Sequence, residues 1–154
     1  MRVLLKLQLD CEAETAWIKL HEPETFAAVF APLIRVRPLE PGGFPATWER
    51  GEYRIQLRLL GVIPMGTQLV KLDFRENTET GINVLRDTGG ALGGPLALLR
   101  GWDHRMAVSA MKDGRTLYRD QLRASGPFSV LAWPVLWLAW QWRAARLTWL
   151  ARDW

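Results

Sequence analysis

The chain has 154 residues, 49% of them hydrophobic and 23% charged, with a net charge of +4 and a pI of about 9.7. That is enough chain to bury a core as one domain over residues 1–154, and the composition excludes a disordered or low-complexity protein. A single cysteine, Cys11, excludes an internal disulfide and a cysteine-based zinc site, and it fits a reducing, cytoplasmic setting.

Val3, Leu5, Leu7 and Leu9 alternate with Leu4, Lys6 and Gln8, a period of two that predicts a strand with one buried face. Lys6 and Gln8 interrupt the apolar run, so this is not the pattern of a signal peptide. Residues 11–32 are helical in character, with Ala13, Ala16, Trp17 and Leu20, then Phe26, Ala27, Phe30 and Ala31, at helical spacing. Pro23 suits the first turn of a helix, which predicts two short helices rather than one. A short strand over 34–37 ends at Pro38 and a turn at 41–43.

The cleanest strand is 47–60, where Tyr53, Ile55, Leu57 and Leu59 alternate with Glu52, Arg54, Gln56 and Arg58. A turn with an apolar tip follows at 61–66, and 68–74 returns with Val70, Leu72 and Phe74 on one face. A fifth strand is predicted over 81–87 and a glycine-rich loop over 88–95. Trp102, His104, Met106, Val108 and Ala110 then share a strand face. Asp113-Gly114 is a hairpin signal, and 116–123 returns with Tyr118, Asp120 and Leu122 together.

Residues 127–154 read as one long helix holding six of the nine tryptophans. At about 100° per residue, Trp133, Trp137 and Trp140 form a stripe continued by Ala144 and Leu147, while Trp142 and Trp149 face the other way. Apolar surface nearly all round the first half predicts burial on several sides. The charge-free run at 127–142 is shorter than the ~20 residues that cross a bilayer. The outward tryptophans suit a homodimer partner or a membrane surface.

Segregated helices and a run of antiparallel strands define an α+β fold. In its order of elements the chain resembles the START/Bet v 1-like superfamily, in its bacterial polyketide cyclase/dehydrase-like (SRPBCC) branch. The likeness rests on the hairpin at 58–67; on Gly94-Pro95, Trp102-Asp103-His104 and Thr116 with Asp120; and on Trp133-Pro134 running into Gln141-Trp142-Arg143. The spacing from Pro95 to Trp102 is longer than the pattern. The resemblance implies a helix-grip fold: a curved antiparallel sheet of about seven strands around the C-terminal helix, with two short helices after the first strand. It also implies that a small hydrophobic molecule (lipid, aromatic or polyketide-like) binds between sheet and helix, and it implies no particular reaction.

Tyr53, Leu57, Phe74, Trp102, His104, Met106, Tyr118, Trp133 and Trp137 are the residues expected to line that hollow. His104 and Asp120 are the candidates for general acid/base work. The alternative is that His104, Tyr118 and Asp120 form an internal hydrogen-bond network bridging sheet to helix, with Asp120 also able to pair with an arginine such as Arg86. His21 and His104 have no metal-ligand spacing, and the glycine-rich loop matches no phosphate-binding motif, so neither metal nor cofactor is expected. Glu40, Glu49 and Glu52 dilute the strand arginines, which argues against nucleic acid. Cys11, at a helix start, has the pattern of a small apolar residue rather than a nucleophile. Three functions compete: a binding module, a cyclase or dehydrase-type enzyme, and a membrane-surface or dimerising protein.

Overall fold

A computed structural model describes residues 1–154. Strand β1 (Arg2–Leu9) leads into helices α1 (Ala13–Leu20) and α2 (Pro23–Phe30), separated as Pro23 at the start of α2 requires. There follow β2 (Ile34–Pro38), β3 (Gly51–Leu59), β4 (Ile63–Arg75), β5 (Ile82–Asp87) and β6 (Gly90–Gly93). A 3₁₀ turn at Pro95–Leu98, strands β7 (Arg100–Ala110) and β8 (Thr116–Ser125), and helix α3 (Ser129–Leu150) complete the chain. The strands form one antiparallel sheet in the order β1-β8-β7-β5-β4-β3-β2, with β6 beside β4.

The eighth strand, β6, lies in the segment expected to be a loop, and β4 starts five residues earlier than its alternation suggests. Both differences have one cause. Gly66 and Gly94 let two backbones come together with no side chain between them, so pairing occurs where no apolar alternation announces it. Strands β5 and β6 act as two halves of one broken strand. Leu72 pairs with Asp87, Leu69 pairs with Gly90, and the break at Thr88-Gly89 lies between them.

Helix α3 packs on β1 and α2 through Leu136, Trp140, Arg143, Ala144 and Leu147, all buried. The stripe is therefore correct from Trp140 onward and wrong before it. Trp133 and Trp137 are 42% and 41% exposed and stack on each other beside β1, where the Trp133 indole donates to the Arg2 carbonyl. The first half of α3 is not buried on several sides: it overhangs the sheet, with Val130 and Leu131 exposed. The core proper fills the opposite end of the sheet, where Trp17, Leu20, Val29, Trp48, Ile55 and Leu147 pack together.

Candidate functional site

Between the first half of α3, α2 and the neighbouring ends of β2, β3, β4, β5 and β7 is a cavity of about 740 Å³. Its walls are Phe30, Leu57, Met65, Leu96, Trp102, Leu136, Ala139, Trp140 and other apolar side chains. Only Gln68, Asp87 and His104 are polar. A volume of this size is within the range of sites that enclose small molecules, which are mostly apolar with a few orienting groups.

Each of the three polar residues is placed by the sheet. His104 on β7 faces Asp87 on β5 directly across the ladder. Asp87 closes the break between β5 and β6: its Oδ1 accepts the backbone N–H groups of Lys71 and Gly89, both at 2.9 Å, and its Oδ2 accepts the Trp102 indole N–H at 3.2 Å. A Cβ at Gly89 would run into the Leu69 carbonyl, so the chain needs glycine there to come this close to β4. Burial pushes the Asp87 carboxyl up, against the two backbone N–H groups that favour its charge. Gln68 is on β4 opposite Ala91, nearly buried, and its amide has no partner within the protein.

Behind His104 is a buried ionic cluster. Asp120 accepts four hydrogen bonds: from His104 Nε2 and Trp140 Nε1 on Oδ1, both at 2.9 Å, and from the Tyr118 hydroxyl at 2.9 Å and Arg143 Nε at 3.1 Å on Oδ2. Arg143 Nη2 also donates to the Tyr118 oxygen at 2.9 Å, and its guanidinium is 5.4 Å from the Phe30 ring centre. Burial alone would raise the Asp120 carboxyl, but His104, Arg143 and the Trp140 N–H outweigh it and hold it below the usual carboxylate range. Burial pushes the Tyr118 hydroxyl well up, so it stays neutral and donates to Asp120. Burial would weaken the Arg143 guanidinium, but Tyr118 and Asp120 more than offset that and keep it charged.

With Asp120 ionised, His104 Nε2 carries the proton it donates to that carboxylate. The other ring nitrogen, Nδ1, has no protein partner. His104 thus connects the cavity to the buried cluster, while Asp120, 1% exposed, does not reach the cavity. A void of about 30 Å³ lies beyond His104 and Asp87, against Met106, Arg143 and Leu147, with room for water.

Of the residues expected to line the hollow, Leu57, Trp102 and His104 do so. Met106 borders only the small void. Tyr53 stacks on Trp48, and Phe74 packs against Trp17 and His21, both in the filled end of the sheet. Tyr118 is sealed inside the ionic cluster, and Trp133 and Trp137 lie outside the cavity. Asp120 pairs with Arg143 rather than with Arg86, which bonds Asp103 instead. Burial raises the Cys11 thiol, in keeping with a packed residue and not a nucleophile. Sequence reasoning missed Gln68, Asp87, Trp140 and Trp142 as wall residues. Only Asp87 left a sequence signal, an acid ending a strand just before Thr88-Gly89-Gly90.

No family model matches the chain, and no curated protein matches it. Solved structures do. A hypothetical protein from Helicobacter pylori aligns at TM-score 0.70 and 14% identity, over 99% of this chain and 88% of that one. The Zhui aromatase/cyclase from a Streptomyces species aligns at TM-score 0.64 and 14% identity, over 98% of this chain and 93% of that one. Norcoclaurine synthase from Thalictrum flavum, in complex with dopamine and hydroxybenzaldehyde, aligns at TM-score 0.65 and 12% identity, over 99% and 87%. The curved sheet, paired short helices and long final helix are the helix-grip architecture. These solved structures share that fold with this chain over nearly its whole length.

Proposed function

We propose that residues 1–154 act as one ligand-binding domain, holding a small hydrophobic molecule that carries a hydroxyl group, with phenols as the first class to try. The supporting observation is the cavity of about 740 Å³, apolar everywhere except at Gln68, Asp87 and His104. Apolar burial would supply affinity, at about 25 cal/mol per Å² before binding costs. A ligand hydroxyl donates to His104 Nδ1 and accepts from the Gln68 amide, two groups that otherwise have no protein partner. The fold neighbours favour the same chemistry: one is an aromatase/cyclase, and another holds dopamine and hydroxybenzaldehyde, both phenolic molecules.

A para-alkylphenol and its methyl ether, each titrated by quenching of tryptophan fluorescence, test this reading. The phenol should bind about tenfold more tightly, the worth of one hydrogen bond to a desolvated group. His104→Phe should erase that preference. No saturable binding of either compound would overturn the reading.

One observation favours a second reading. His104 lines the cavity, is held by an ionised carboxylate on one nitrogen and leaves the other without a protein partner, as an oriented general base would. His104 would then be the catalytic residue of a cyclase or dehydrase-type reaction, and Asp120 a positioning residue. Cyclisation of a poly-β-carbonyl thioester, lost in His104→Gln while alkylphenol ether binding persists, would support this. No turnover of such substrates leaves the binding module.

A further inference from the structure

The end of the molecule where the cavity opens combines two properties that the interior does not require. Strands β1, β2, β4 and β7 begin there, and β3 and β8 end there. Aliphatic side chains stand out into solvent at that end: Val62 and Ile63 at the β3–β4 tip, Leu98 after β6, and Val130, Leu131 and Val135 on α3. Val130 and Leu131 are 76% and 75% exposed. Ile63, Leu98, Leu131 and Val135 also line the cavity, so the exposed surface and the interior wall are continuous.

Charge is segregated about the same end. Residues 25–39, 53–72, 88–102 and 121–152 contain no aspartate or glutamate. Arg2, Arg35, Arg58, Arg100 and Arg123 lie on the strand ends around the opening, and none is in an ion pair with a carboxylate. The exposed acids gather at the opposite end, as with Asp10 after β1, Glu49 before β3, Glu76 after β4 and Asp113 in the β7–β8 turn.

From the shared placement of apolar rim and unpaired arginines we infer that the mouth docks on an anionic lipid bilayer, inserting the β3–β4 tip and the first half of α3. The aliphatic groups enter the acyl boundary. The guanidinium groups reach the phosphates, and the exposed indoles of Trp133 and Trp137 sit at headgroup depth. A second copy of the chain fits the same face poorly. Bringing two such faces together would set one ring of unpaired arginines against another with no carboxylate between them. No helix of the chain is long and apolar enough to cross the membrane, so the contact is interfacial. Docked this way, the cavity opens into lipid, and a hydrophobic molecule passes between bilayer and protein without crossing water. The docking surface stands without the ligand-binding reading; only its use as a loading face rests on it.

Flotation of the full chain with phosphatidylcholine vesicles, with and without phosphatidylglycerol, tests the docking. The protein should float with the anionic vesicles and remain largely free with the neutral ones. Binding should collapse in about 1 M salt, where the screening length falls to about 3 Å. Replacing Arg35 and Arg100 together by glutamine should lower partitioning about 30-fold. Val130→Asp and Val62→Asp should each abolish it; neither residue lines the cavity, so solution binding of the alkylphenol should be unchanged. Failure to float with anionic vesicles overturns the inference, as does binding that ignores both salt and the arginines. A concentration-dependent dimer that Val130→Asp dissolves, with vesicles ignored, assigns the face to a second copy instead. The alkylphenol titration fails or succeeds independently, so loss of the ligand reading and loss of the docking surface are told apart.

Discussion

Asp120 is the residue on which the two halves of the molecule meet. It binds a histidine and a tyrosine of the sheet and a tryptophan and an arginine of α3. Removing its charge leaves Arg143 buried without a counter-ion. Asp120→Asn should therefore cost about 3–5 kcal/mol in unfolding free energy, read by urea denaturation. The pH dependence has a definite sign. The folded carboxyl titrates below its unfolded value, so its stabilisation is complete above the ordinary carboxylate range and is lost progressively as pH falls from that range through the depressed folded value. Wild-type stability from this group should hold through mild acid, and the variant should lose that dependence. The sequence put His104, Tyr118 and Asp120 side by side, because the Asp113-Gly114 turn sets the β7–β8 register. It concealed Trp140 and Arg143 as their partners. Which side of α3 faces inward depends on its rotation, and a helix with apolar groups all round does not declare that.

Among the elements, α3 and β6 are where pattern and structure part. The tryptophan stripe suggested that Trp133 and Trp137 continue the buried face of Trp140. The buried line instead runs through Leu136, Trp140, Arg143, Ala144 and Leu147, and it contains a charged residue that no hydrophobic pattern would select. The reason is that Arg143 has a buried carboxylate to meet, a tertiary fact absent from the helix's own periodicity. Strand β6 was illegible for the opposite reason: Gly90-Ala-Leu-Gly93 has almost no side chains, and its place beside β4 follows from close backbone approach. Gly66 has φ of 118°, and a Cβ there would strike the Gly93 carbonyl. Gly66→Ala should pull β6 from β4. Amide hydrogen exchange at Ala91 and Gly93 should then quicken while β1 and β8 keep their protection. Unchanged exchange at β6 would mean that it is held by something other than this pairing.

At the scale of the whole molecule, one end of the sheet is closed by aromatic packing and the other is left open. Trp17, Trp48, Tyr53 and Phe74 fill the closed end, which explains why two residues expected at the cavity are found in the core. Alternation predicts which face of a strand is inward, and it did so for Leu57, Trp102 and His104. It does not predict how far along the strand the interior stops being filled, because that is set by the helices and loops packed over it. The open end is where the polar trio, the apolar walls and the cationic rim coincide.

Isothermal titration of the alkylphenol into wild-type protein and into Ala139→Trp, at several temperatures, decides whether the cavity holds a ligand. Ala139 lies on the cavity wall, and an indole there fills the space from the helix side. The wild-type chain should give saturable one-to-one heats with a negative heat-capacity change from apolar burial, and Ala139→Trp should give none while melting at an unchanged temperature. Absence of saturable binding in the wild type, or equal binding in the filled variant, would contradict the account.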